Sequence, residues 1–191
     1  MTNTPDRKQA VPALIGDITN KLVITGLAGP AQDMAAHTDN ADNCFILGGA
    51  MGAAVSMGLG LALSKPNKPV LVVTGDGELL MNVGSLSVVG AMQPANLSIV
   101  CVDNSHYGET GFQPSHTAMG VDLEEIARGS GIATTATVHS MSDIEAARKL
   151  LNDAKGPVFV LLKVSKEPSA RHPRSWDAVE RKNAFIRVLD D

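Results

Sequence analysis

PVLVVTGDG, residues 69–77, runs through five apolar or β-branched positions with no polar alternation and then stops at Gly-Asp-Gly. A strand with one wet face alternates apolar and polar side chains, whereas a strand apolar at every position is covered on both faces. Working outward, the same signature recurs in LVITG (22–26), CFILG (44–48), LSIVCVDN (97–104) and PVFVLLKV (157–164), with a Thr/Ala-rich run from Ile132 to Val138. Segments of helical length separate these runs. They are an amphipathic stretch after Pro5 carrying Val11, Leu14, Ile15 and Ile18, then Pro30–His37, a small-residue helix Ala50–Ser64, Leu79–Met92, Leu123–Arg128 with Asp122 as its cap, Ser142–Ala154 with a Ser142-x-x-Glu145 capping box, and Trp176–Leu189. Buried strands taking turns with helices predict an α/β fold: a doubly wound, mostly parallel sheet with helices on both faces. The expectation is a single domain over 1–191, with its core at about 20–165 and a helical tail at 170–191.

Composition narrows the function. Apolar residues make up 44% of the chain and charged residues 19%, which excludes disordered and low-complexity classes. No uncharged apolar run is long enough to read as a membrane span, and MTNTPDRKQA carries no apolar core of a secretory signal. The net charge of -4, without a basic cluster, argues against nucleic acid as a partner. Cys44 and Cys101 sit in apolar runs and read as buried free thiols, so a cytoplasmic setting is expected.

In doubly wound sheets, ligands bind beyond the carboxyl ends of the strands. The chain places Gly26, Gly48-Gly49, Gly75-Asp76-Gly77 and Asp103-Asn104 at those ends. Bare glycine backbone there suits a phosphate. The P-loop pattern is absent, and G-x-G-x-x-G fails because Leu80 stands where its third glycine would be. What remains is Gly-Asp-Gly followed by Asn104, with 26 residues between Gly77 and Asn104. That interval holds one helix and one strand, so a carboxylate and a carboxamide arrive at the same sheet edge. Two hard oxygen donors together suit Mg²⁺ carrying a phosphate.

These residues resemble the diphosphate-binding signature of thiamine diphosphate (ThDP) enzymes. The segment GGAMGAAVSMGLGLAL (48–63) is similar to the glycine-rich stretch that precedes the signature in that family, and the resemblance covers roughly residues 20–165. Within the family, the block VVTGDGELLMNVGSLSVVGAMQPANLSIVCVDNSHYGETGFQPSHT (72–117) looks like the short β subunits of sulfopyruvate decarboxylase and the C-terminal third of phosphonopyruvate decarboxylase. The resemblance implies ThDP and Mg²⁺ as cofactors and decarboxylation of a 2-oxo acid as the activity. By the same match, Asp76 and Asn104 are side-chain Mg²⁺ ligands and the carbonyl of His106 is a third. Gly75, Gly77 and Glu78 lie along the diphosphate, Gly26 adds a phosphate contact, Met51 props the cofactor in its bent form, and a carbonyl at Gly49 faces the aminopyrimidine.

The loop from 105 to 120 is long and rich in Gly, Ser and Thr. It is expected to be poorly ordered without ligand and to close over substrate, with Tyr107 and His116 as its proton carriers. His37, His139 and His172 read as surface residues, and Arg171 and Arg174 as a solvated basic tail. The family's activating glutamate lies at a strand end of a separate pyrimidine-binding domain, and no glutamate here has that setting. The implied partner is therefore a pyrimidine-binding ThDP subunit in a hetero-oligomer, or a second copy through self-association. Two alternatives stand beside this reading: a 2-oxoacid oxidoreductase-type β subunit, and a non-catalytic ThDP-binding scaffold.

Overall fold

The computed structural model describes residues 4–169, 171–175 and 177–189. Its centre is a six-stranded, all-parallel sheet in the order β2-β1-β3-β4-β8-β7. The strands are β1 (Leu22–Thr25), β2 (Cys44–Ile46), β3 (Val70–Gly75), β4 (Leu97–Asp103), β7 (Thr134–Val138) and β8 (Val158–Lys163). A separate two-stranded hairpin, β5 (His106–Tyr107) and β6 (Gln113–Pro114), sits beyond the carboxyl end of β4.

The unbroken apolar runs have the predicted cause. Along β3, Leu71 and Val73 face one core while Val70 and Val72 face the other; β4 and β8 divide their side chains in the same way. One face is covered by α1 (Arg7–Ile15), α2 (Ala28–Thr38) and α7 (Ile144–Asp153). The other is covered by α3 (Ala54–Ser64), α4 (Asp76–Met81), α5 (Ser85–Met92), α6 (Leu123–Gly129) and α8 (Ala178–Leu189). Both thiols are free and fully buried, Cys44 in the first core and Cys101 in the second.

Several expected elements come out differently. The helix over 79–92 is two helices, because Asn82 leaves helical geometry between them and donates its side-chain N–H to the carbonyl of Gly52 at 3.0 Å. The helix expected at Ala50 starts at Ala54. The capping box is formed by Ser140 and Asp143, not by Ser142 and Glu145: Asp143 accepts from the backbone N–H groups of His139 and Ser140, and a 3₁₀ turn (Met141–Asp143) precedes α7. Asp122 does cap α6, accepting from the N–H groups of Glu124 and Glu125. Trp176, the expected first residue of the last helix, lies outside the described residues. The stretch 105–120 is not a structureless lid; it forms the β5–β6 hairpin and a 3₁₀ turn, His116–Met119.

The topology prepares a ligand site. From β1 the chain leaves through α2 on one face, and from the neighbouring β3 through α4 and α5 on the other. Connections that part on opposite faces open a crevice at the carboxyl ends of those two strands.

Candidate functional site

At the end of β3, Gly75 is extended (φ -102°, ψ 160°) and caps α4, so Asp76, Gly77 and Glu78 form the first helical turn. Backbone N–H groups of a first turn have no partner inside the helix. Gly77 must be glycine here, since a Cβ would stand 2.5 Å from the ring of Tyr107. Gly26, at the end of β1, is equally constrained: a Cβ there would lie 1.5 Å from the carboxylate of Glu78.

Asp76 is buried at 2% exposure, and so is Asp103 at 1%. The hydroxyl of Ser115 donates to Asp76 Oδ2 at 2.5 Å. Thr117 Oγ1 lies 2.8 Å from Asp103 Oδ1 and 3.3 Å from Asp76 Oδ2, tying the two carboxylates together. Lys163, at the end of β8, reaches Asp103 Oδ2 at 2.5 Å. Burial first, and the Asp103 charge second, push the Asp76 carboxyl up to about 6, against the Ser115 hydrogen bond that favours its ionised form. Burial also raises Glu78, opposed by the hydroxyl of Thr74, which donates to its Oε2 at 2.9 Å.

Asn104 follows β4. Its Oδ1 accepts from the His106 N–H at 3.0 Å, closing a tight turn around Ser105, whose φ is +62°. The His106 ring stacks on Phe112, with centroids 4.6 Å apart. Tyr107 Oη and His116 Nδ1 are 3.2 Å apart.

Met51, Gly75, Asp76, Gly77, Glu78, Asn104, His106 and Tyr107 share the wall of one cavity of about 930 Å³. That volume lies within the range of small-molecule and cofactor pockets, roughly 300–1,000 Å³. Gly26, Gly49 and His116 are outside the wall; Gly26 backs Glu78, Gly49 has open space where a Cβ would be, and His116 connects through Tyr107.

Three features were missed from sequence. Ser115, Thr117 and Lys163 form the frame of the Asp76–Asp103 pair, and only Lys163 left a trace, as a charge ending an otherwise apolar strand. The basic tail is not merely solvated, because Lys166, Arg171, His172 and Arg174 line the same cavity. His172 is tied to Asp39 at 3.1 Å.

The donor chemistry fits a divalent cation with a diphosphate. Of two buried carboxylates only Asp103 is paired with a lysine, which leaves Asp76 without a counter-charge, and Asn104 lies on the same wall. Among the described residues there is no cluster of three His, Cys, Asp or Glu side chains that could hold a metal ion by themselves. Hard oxygen donors in small number are what Mg²⁺ accepts when a phosphate completes its shell.

The chain is 39% identical over 158 residues to sulfopyruvate decarboxylase subunit beta of Methanocaldococcus jannaschii, covering 82% of each chain. It is 34% identical over 160 residues to phosphonopyruvate decarboxylase of Streptomyces viridochromogenes, covering 84% of this chain but 40% of that one. A Mycobacterium smegmatis protein solved as a thiamin diphosphate-dependent enzyme shares the fold at a TM-score of 0.69 and 21% identity, over 87% of this chain and 33% of that one. Residues 29–162 match the family described as thiamine pyrophosphate enzyme, C-terminal TPP binding domain, thiamine pyrophosphate being ThDP, and the chain belongs to that family.

Proposed function

We propose that this chain is the diphosphate-anchoring subunit of a cytoplasmic 2-oxo acid decarboxylase of the sulfopyruvate or phosphonopyruvate type, completed by a separate pyrimidine-binding subunit. The observation that carries this reading is the buried Asp76–Asp103 pair, with its single lysine, at the switch crevice beside Gly75 and Gly77. Bound ThDP supplies an electron sink for the carbon that loses carbon dioxide.

The chain's own residues hold and orient. Asp76, Asn104 and the His106 carbonyl are the Mg²⁺ ligands. Asn104 Oδ1 takes one N–H from His106 and keeps a second lone pair for the metal. Gly75, Gly77 and Glu78 offer first-turn backbone to the diphosphate, whose charge that end of a helix favours. Gly26 shapes this turn from behind through Glu78. Met51, on the cavity wall, would support the bent form of the cofactor, and Gly49 would offer a backbone carbonyl to its aminopyrimidine. Tyr107 and His116 form a pair able to hold a proton at the phenol or the imidazole, at the rim of the cavity.

The oxidoreductase alternative asks for cluster cysteines, and the two cysteines of this sequence are buried on opposite faces of the sheet. The scaffold alternative leaves the paired buried carboxylates without a use.

Co-purification with a pyrimidine-binding subunit, followed by assay of carbon dioxide release from sulfopyruvate and phosphonopyruvate with ThDP and Mg²⁺, tests the reading. Turnover by the pair and none by the chain alone is the expected result. Turnover by the chain alone, or none by a pair that has taken up ThDP, overturns it.

A further inference from the structure

Asp103, the last residue of β4, is 1% exposed and is not among the residues that line the cavity. Both of its carboxylate oxygens are engaged. Oδ2 takes Lys163 Nζ at 2.5 Å. Oδ1 accepts the Ser105 N–H at 2.8 Å, the Thr117 hydroxyl at 2.8 Å and the Ser105 hydroxyl at 3.2 Å. A carboxylate so filled has little left to give a cation, so its use lies in what it holds.

Its contacts run to both halves of the proposed ligand set. The strand register pairs Gly75 with Val102, so Asp76 and Asp103 leave neighbouring strands at one level. On the β4 side, Asp103 holds Ser105, whose φ of +62° is costly for a residue with a side chain. That turn brings the Asn104 carboxamide and the His106 backbone together, the His106 N–H donating to Asn104 Oδ1 at 3.0 Å. On the β3 side, Thr117 Oγ1 lies 2.9 Å from Ser115 Oγ, and the Ser115 hydroxyl donates to Asp76 Oδ2 at 2.5 Å. The Ser115 N–H donates to the Ser105 carbonyl at 2.9 Å, which closes the two arms on each other. Both hydroxyls near Asp76 meet Oδ2, so Oδ1 is the oxygen they leave for a metal.

We infer that Asp103, anchored by Lys163, is a positioning residue that fixes the cation's ligands from both strands and thereby sets a preference for Mg²⁺ over Ca²⁺, an inference that rests on the ThDP and Mg²⁺ reading above. Mg²⁺ demands near-octahedral geometry at about 2.0–2.1 Å, whereas Ca²⁺ takes roughly six to eight oxygens at about 2.3–2.6 Å in flexible arrangements. Ligands held to one geometry favour the smaller and stricter ion, and loosening them costs that ion more. The Lys163 ammonium balances the Asp103 charge, so the site gains order without a second unpaired carboxylate.

Titration calorimetry of the full-length chain with ThDP, in Mg²⁺ and separately in Ca²⁺, tests this without turnover. The variants are Asp103→Asn, Thr117→Val and Thr117→Ser. Thr117→Val keeps the side chain's shape and the Lys163–Asp103 pair but deletes the hydroxyl link, so it judges the inference even where Asp103→Asn fails to fold. Removing a group that orients a metal ligand weakens metal affinity by about 10–100-fold. Asp103→Asn and Thr117→Val are each expected to weaken Mg²⁺-dependent ThDP binding by about that factor, with a smaller loss in Ca²⁺. Thr117→Ser, which keeps the hydroxyl, is expected to stay near wild type. Undiminished Mg²⁺-dependent binding in Thr117→Val, or in a folded Asp103→Asn, overturns the inference. So does an equal loss with both cations, or a loss in Thr117→Ser that matches Thr117→Val, which would make Thr117 a packing residue. If the wild-type chain takes up no ThDP with either cation, the cofactor reading falls and the inference with it; a wild type that binds ThDP beside variants that bind it equally well strikes the inference alone.

Discussion

Asp76 is a residue that folding by itself disfavours, and this is its use. Its folded-state pKa of about 6, set by burial and then by Asp103, lies above its ordinary value of 3.8. The folded chain therefore binds this proton more tightly than the unfolded chain. The resulting stabilisation is complete below about pH 4 and is lost as pH rises through 6. In cofactor-free protein at pH 7.5, Asp76→Asn is expected to raise stability by on the order of 2 kcal/mol, at about 1.4 kcal/mol per tenfold change in proton affinity. The same variant loses Mg²⁺-dependent ThDP binding. Wild-type affinity for ThDP and Mg²⁺ is expected to fall about tenfold per pH unit below 6, where proton and metal compete for one carboxylate. Thermal denaturation against pH, with ThDP titrations on both proteins, checks all three statements; an unchanged ThDP affinity in the variant removes Asp76 from the metal site. Met51 makes a contrasting prediction. It is half-buried in the cavity wall, away from the diphosphate turn, so Met51→Gly is expected to lower kcat more than it weakens ThDP binding. Wild-type kcat would make it ordinary packing. That Asp76 and Asn104 come to the same sheet edge was legible because their spacing is local to one strand–helix–strand unit. Ser115 and Thr117 were not, because their value lies in hydroxyl contacts to carboxylates 14 and 39 positions away, and a Ser/Thr-rich loop reads the same with or without them.

At the scale of elements, helix α3 shows how packing decides what a glycine is for. Gly58 lies against the sheet, where an added Cβ would stand 2.1 Å from Val72 Cγ2, and Gly60 faces open space. The two glycines are thus separable. Gly60→Ala is expected to stabilise the chain by roughly 0.5–1 kcal/mol through helix propensity. Gly58→Ala gains the same propensity but overpacks the β3 contact, and is expected to destabilise by about 1–3 kcal/mol. Urea denaturation of both variants checks the pair, and equal effects would contradict the packing. Gly52 is also committed internally: at φ +87° it turns the chain ahead of α3, and Asn82 fixes that turn by donating to its carbonyl. The same bond explains why the break between α4 and α5 was invisible. Leu79–Met92 is apolar enough for one helix, and the partner that bends it lies 30 residues away. The strands were legible because covering both faces writes itself into every position. The placement of Ser169, His172 and Pro173 was not, because their ties to Gly29, Gln32 and Asn40 span 133 to 140 residues with no local pattern.

On the proposed reading, the whole molecule carries one side of a cofactor cleft. Three of its glutamates are engaged within the fold: Glu78 is buried against Gly26, Glu124 is bound to Arg128, Thr135 and Thr137, and Glu180 takes the hydroxyl of Ser175. If a second subunit supplies the pyrimidine side, cofactor binding and assembly are linked, and the linkage is reciprocal. Whatever factor the partner adds to ThDP affinity, ThDP must add to the affinity of the two subunits. The chain alone is expected to bind ThDP and Mg²⁺ through the diphosphate turn, at least about tenfold more weakly than the assembled pair, a difference of about 1.4 kcal/mol. Sedimentation of the two subunits with and without ThDP is expected to show the same factor in their association. Asp76→Ala should abolish the ThDP effect on assembly and leave the basal association unchanged, because that carboxylate sits at the cofactor turn inside the cavity, at 2% exposure. The pair of measurements is decisive in either direction. Equal ThDP affinity for the chain alone and for the assembly means that the cleft is complete within one chain, and the activating glutamate would then have to be sought on this chain's own cavity wall, at Glu109 or Glu167.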